Sequence, residues 1–169
     1  MLIMSTANAQ STTDWTIHVA DAGARRILGT DVVAVVGSPE NELFQINVSK
    51  LKAPAKMPRT EQEWQDFVVE HMKQGHGHVA VKKALLNSPH VAYIAEISYN
   101  LLGQAMMAKI LVIVENGVLL QFRYDDTPTA YLERNTKFYR PLFQDLAFGH
   151  RDDLVRQILN INESSSQKI

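Results

Sequence analysis

The sequence predicts an α+β fold: a single-domain sandwich with a largely antiparallel central sheet and helices packed on its faces. Three observations predict it. The stretch Lys109–Tyr124 (KILVIVENGVLLQFRY) places Asn116-Gly117 between two apolar runs. Asn-Gly suits the two positive-φ positions of a type I′ turn, so the flanking runs are adjacent antiparallel strands. With Glu115 opposite Val118, Leu111, Ile113, Leu120 and Phe122 share one face, while Ile110, Val112, Val114, Leu119, Gln121 and Arg123 share the other. The second face is apolar near the turn and polar at the far end, which predicts a sheet at least partly covered on both sides. The second observation is the run of alternating segments elsewhere, and the third is a well-capped amphipathic helix.

In chain order, Trp15–Ala20 (WTIHVA) reads as a short strand with Trp15, Ile17 and Val19 on one side, and Ala22–Leu28 is ambiguous. Asp31–Val36 and Leu43–Leu51 flank the turn-rich Gly37-Ser38-Pro39-Glu40-Asn41 and form a second hairpin. Phe44, Ile46 and Val48 alternate with Gln45, Asn47 and Ser49, the mark of a half-buried strand. Lys52–Arg59 is a loop, its prolines keeping it out of regular structure.

Thr60–Gln74 is a helix. Thr60 and Glu63 form a capping box, Trp64, Phe67, Val68 and His71 fall on one stripe, and Gly75 stops it. Val79–Leu86 and His90–Asn100 are strands, the latter with Tyr93, Ala95, Ile97 and Tyr99 opposite Ile94, Glu96 and Ser98, and a bend at Gly103 follows. After Tyr124, Pro128 sits in the first turn of a helix, where its missing amide hydrogen costs nothing. Pro141 then kinks or restarts that helix, giving two abutting pieces. Asp152–Asn160 is a short last helix. The expected organisation is a disordered or leader-derived segment at 1–14, the domain at 15–148, and a short helix with a disordered polar tail at 149–169.

With 169 residues, 46% apolar content and a formal net charge of −1, the chain has an ordinary globular balance. It lacks the basic stripe of nucleic-acid or anionic-membrane binders. The absence of cysteine excludes disulfides, thiolate zinc sites and cysteine nucleophiles. Ala7-Asn8-Ala9 puts small residues at the −3 and −1 positions of an export cleavage site, ahead of Ser11-Thr12-Thr13-Asp14. A basic start and an apolar stretch of about 7–15 residues are missing. The segment therefore reads either as the end of a leader whose true start lies upstream of Met1, or as a cytoplasmic N-terminus. A periplasmic or secreted location is the expectation. No run approaches the roughly 18 apolar residues of a membrane span.

The segments LFQINVSKL, TEQEWQDFVVEHMKQ, HVAYIAEISYN, AKILVIV, GVLLQFRY and AYLERNTKFYRPLFQDLAF, in that order, give the chain a resemblance to the PsbP-like superfamily over about residues 15–148. That superfamily includes PsbP, a Ran-binding import factor, DcrB-related proteins and Eag-type chaperones of type VI secretion effectors. The resemblance rests on element order and apolar pattern. The tail after Phe148 is extra, and the proline-glycine-tryptophan signature near the first strand is absent. The resemblance implies a binding or assembly protein with a protein partner, without catalytic residues or a cofactor. A cytoplasmic effector chaperone is the alternative of the same fold.

His71, His76 and His78, with Glu70 nearby, are the one metal-like cluster, and a small metal-dependent enzyme would have to use them. Their spacing matches no established site, and a solvated glycine loop explains His76 and His78 better. Asp125 and Asp126 stand at a strand-to-helix junction, where helix N-termini attract carboxylates for electrostatic reasons alone. No metal, cofactor or catalytic residue is expected. For recognition, Leu101, Leu102, Met106 and Met107 form an apolar patch beside Gly103, and methionine surfaces adapt to varied partners; filling the core at a strand bend is the competing reading.

Overall fold

The computed structural model describes residues 15–28, 31–38, 41–72, 79–83 and 91–161. Its elements are β1 (Thr16–Val19), α1 (Ala22–Leu28), β2 (Val32–Ser38), β3 (Asn41–Lys52), α2 (Glu61–Met72), β4 (Val79–Lys83), β5 (Tyr93–Leu101), β6 (Gln104–Glu115) and β7 (Val118–Asp126). They continue with α3 (Pro128–Arg134), a π-helical turn (Asn135–Tyr139), α4 (Arg140–Ala147) and α5 (Asp152–Leu159). The strands make one seven-stranded sheet in the order β1-β2-β3-β7-β6-β5-β4, antiparallel throughout. The expected α+β architecture, an antiparallel sheet with helices on both faces, is the one observed.

Local chemistry explains most of this. Asn116 and Gly117 have φ of 53° and 77°, and Glu115 pairs with Val118, so the turn sets the register. Leu111, Ile113, Leu120 and Phe122 consequently enter the larger core, against α3, α4 and α5, while Ile110, Val112 and Leu119 enter a second core beneath α2. At α2 the capping box forms: the Glu63 amide donates to Thr60 Oγ1 at 3.1 Å and the Thr60 amide donates to Glu63 Oε2 at 3.1 Å. Trp64 and Val68 are buried from its inner face.

Gly117→Val is expected to destabilise by about 2 kcal/mol. Nothing lies within 4 Å of where its Cβ would be, so the cost is purely the left-handed backbone, severe for a β-branched residue. Chemical denaturation giving an unchanged midpoint would contradict this account of the turn.

Four details go beyond the local signals. Ala22–Leu28 is helical, started by the Ala24 amide donating to Asp21 Oδ1 at 2.7 Å. The β2 and β3 strands run into the turn-rich five, leaving only residues 39–40 between them. Ahead of Pro141 the helix widens rather than breaks. Pro141 offers no amide and its ring would clash with the carbonyl four residues back. The π-helical turn, in which the Arg140 amide reaches the Asn135 carbonyl, accommodates that conflict within a continuous helical run. Finally, α5 lies beyond Phe148, where the sequence placed the end of the domain, yet Leu154, Val155 and Ile158 are buried in the larger core. Lys50 Nζ donates to the carbonyls of Leu159 and Ile161 at 2.8 and 3.0 Å, fastening the end of α5 to β3. The N-terminal segment 1–14 and the tail from residue 162 lie outside the described residues. Among the described residues, no helix is long and apolar enough to cross a membrane.

Candidate functional site

The β5–β6 hairpin runs on past the end of β7. β7 ends at Asp126, paired with Met107, and β4 begins at Val79, paired with Tyr99. Residues Asn100–Ala105 therefore extend past the end of β7 and past the described part of β4 as a two-stranded arm. Its turn is Leu102-Gly103, with φ of 51° and 84°. Both residues are left-handed, as in the Asn116-Gly117 turn, but a leucine occupies a position that asparagine, aspartate or glycine fills at lower cost. The Leu102 side chain is 100% exposed and Leu101 is 39% exposed.

The structure brings together only part of the predicted apolar patch. Met106 pairs with Tyr99 and packs against the core beneath α2, the face that strand alternation also assigns to Leu101. Met107 pairs with Ser98 and packs against the opposite core. The exposed apolar surface of the arm is thus Leu101 and Leu102, with half-buried Met106 at its base.

An ion-pair cluster anchors the arm. Arg123 grips Asp125 with two hydrogen bonds, Nε to Oδ1 at 2.8 Å and Nη2 to Oδ2 at 2.6 Å, and the Tyr99 hydroxyl donates to the same carboxylate. The guanidinium also lies 5.8 Å from the Tyr99 ring centroid. Burial pushes the Tyr99 hydroxyl up to about 12, and the Asp125 charge adds to the shift. Burial works against the Arg123 charge, but the Asp125 hydrogen bonds and charge outweigh it and hold Arg123 above its usual value. Asp126 accepts from Arg134 Nη1 at 2.6 Å and from the Thr127 amide at 3.0 Å, tying β7 to the end of α3. Both aspartates at this junction are thus engaged in ion pairs.

On the other face, β5, β6, β7 and the helical run enclose a polar cluster that sequence reasoning missed. Lys109, 7% exposed, donates to Asn135 Oδ1 at 3.2 Å and stands 5.7 Å from the centroid of the Phe143 ring. Tyr124 donates to the same Asn135 oxygen, and Tyr131 donates to Glu96. Tyr124 stacks on Tyr139 at 3.6 Å and on Tyr131 at 5.3 Å. Burial lowers the Lys109 ammonium from its ordinary value, with the Glu96 charge opposing. The residue that accepts from both Lys109 and Tyr124 is the first of the π-helical turn, so the widened turn positions it. One signal was available: the Asn116-Gly117 register puts Lys109 on the same face as Leu111 and Ile113, where a lone ammonium needs a partner.

His71 lies near the end of α2, and His76 and His78 lie outside the described residues. Among the described residues, no group of three or more His, Asp or Glu is arranged to hold a metal ion.

The arm and the sheet define the class: an α+β sandwich whose accessible candidate site is an apolar hairpin tip and whose polar cluster is closed in the core. No protein-family model matches the chain, and no curated protein matches it. Solved structures do resemble it. One is the cyanobacterial PsbP of Synechocystis, at 14% identity and a TM-score of 0.44 over 79% of each chain. Another is a Pseudomonas aeruginosa protein of unknown function, at 13% identity and a TM-score of 0.44, covering 73% of this chain and 76% of that one.

Proposed function

We propose that this protein is a non-enzymatic binding or assembly factor, exported to the periplasm or secreted, that recognises an apolar segment of a protein partner through the tip of the β5–β6 arm. One observation carries the reading. Leu102 combines a left-handed backbone, which costs a non-glycine residue about 1–2 kcal/mol, with complete exposure of an apolar side chain. Neither feature helps the fold, and an apolar partner surface turns the exposed leucine into a favourable contact. The ion-pair cluster at the base holds the arm in place, which lowers the ordering cost of binding. Export is proposed on Ala7-Asn8-Ala9 alone and is tested separately, by fractionating cells that carry the gene with its upstream sequence.

Leu102→Asn separates recognition from stability. Asparagine tolerates the left-handed region, so the melting temperature is expected to hold or rise. Binding to the native partner, found by photo-crosslinking from position 102 in the source cell, is expected to fall at least tenfold. A variant that melts earlier and still binds would remove the basis for the proposal.

A further inference from the structure

A second surface lies between α2 and the loop that precedes it. Here a groove of about 460 Å³ has Met57, Pro58 and Phe67 as its apolar residues. Met57 and Phe67 are half-buried and pack on the core beneath α2, and Phe67 meets the Trp64 ring edge-on at 5.8 Å. The rim is acidic: Glu63, Asp66 and Glu70 line it, and among the described residues Lys56 is its one cation. The helix supplying those carboxylates, EQEWQDFVVEHM, contains no lysine or arginine.

The walls are already in place. The Ala53 amide donates to the Gly117 carbonyl at 2.9 Å, pinning the start of the loop to the β6–β7 turn, and Pro58 stiffens its end. Glu63 is held by the amides of Arg59 and Thr60 at 3.2 and 3.1 Å, which keep its carboxyl below the usual range and therefore charged at neutral pH. Asp66 accepts from Gln62 Nε2 at 2.9 Å through Oδ1 and lines the rim, so an acidic rim stands beside an apolar floor.

We infer that this groove docks a cationic amphipathic segment of a partner protein, an apolar side chain resting on Met57, Pro58 and Phe67 while lysines or arginines meet Glu63, Asp66 and Glu70. The spacing excludes a single metal ion as the better fit. Glu63 and Glu70 are seven positions apart on one helix, about 10 Å along its axis, and the carboxylates do not converge as ligands. Cations spread along a peptide match that spacing, and desolvating the half-buried floor adds an apolar gain that a metal or a small cation would not collect. The inference is independent of the hairpin tip.

The test uses the whole chain and a fluorescein-labelled amphipathic peptide of leucine and lysine, read by fluorescence anisotropy. Saturable binding that weakens with added salt is expected. Asp66→Lys combined with Glu70→Lys should weaken it more than tenfold while lowering the melting temperature by only a few degrees, since both side chains are exposed and Asp66 gives up a surface hydrogen bond from Gln62 Nε2. Should the reversal disturb folding, Asp66→Asn with Glu70→Gln gives the same loss in smaller measure. Leu102→Asn should leave this affinity unchanged. The inference is overturned if the charge variants bind like the parent, if a leucine–glutamate peptide binds equally well, or if a lysine–serine peptide does, because the last would make the apolar floor irrelevant.

Discussion

Raising the pH beyond 10 is expected to unfold the protein in one steep step, because all five tyrosines of the chain resist ionisation in the folded state. Burial is the main cause at each. It pushes Tyr93, Tyr99 and Tyr139 up to about 12, helped by the charges of Glu61, Asp125 and Asp126 respectively. Tyr124 and Tyr131 are raised further still, by burial first and then by Tyr131 and Glu96 respectively. These are groups whose folded pKa lies above the unfolded one. Their stabilisation is fully present below pH 10 and is lost as pH climbs toward 12, since the unfolded chain releases protons that the native state keeps. Each such group lowers stability by at most about 1.4 kcal/mol per pH unit in that window, and the five act in the same direction. Total stabilities of about 5–15 kcal/mol cannot withstand that for long. Lys109 acts in the opposite direction, its lowered pKa relieving a cost as pH rises toward 10.5, but it is one group against five. Tyrosinate absorbance and circular dichroism should change together between pH 10 and 12. Tyrosinate that forms gradually in a chain still folded would refute the burial argument.

Tyr124→Ala is the substitution expected to do the most damage, about 3–5 kcal/mol. Tyr124 stacks on Tyr139 and Tyr131, meets Phe143 edge-on at 5.8 Å, and bonds Asn135, so its loss opens a cavity where the sheet meets the helical run. Tyr124→Phe isolates the hydroxyl and should cost about 1 kcal/mol, Asn135 keeping Lys109 as a donor. Urea denaturation of both variants measures the two contributions. Equal effects would mean that the hydrogen bond, rather than the ring packing, organises this face.

How much of this was legible beforehand depended on how far apart the determining atoms lie in the chain. The Asn116-Gly117 hairpin, its register and its two faces follow from the φ preferences of two residues and the period of two along a strand. The α2 cap follows from a threonine and a glutamate three positions apart. The second left-handed turn, at Leu102-Gly103, is legible only as a bend, because leucine carries no signal for positive φ. The recognition patch was legible as four apolar residues near a glycine, but not as two exposed leucines with Met106 and Met107 on opposite faces.

What the sequence determined by itself is therefore the α+β class, the antiparallel pairing around each turn, and the helix start at Thr60, all set by steric and hydrogen-bonding preferences acting within a few residues. Tertiary structure alone decided three things. It set the strand order that lays β7 against β3, it made α5 part of the core, and it enclosed Lys109, Glu96, Tyr124, Tyr131 and Asn135 in one cluster. Such groups come from different elements and share no local pattern. Each is acceptable in the interior only because the others supply its hydrogen bonds, so their pairing exists only once the sheet and the helical run have closed on one another.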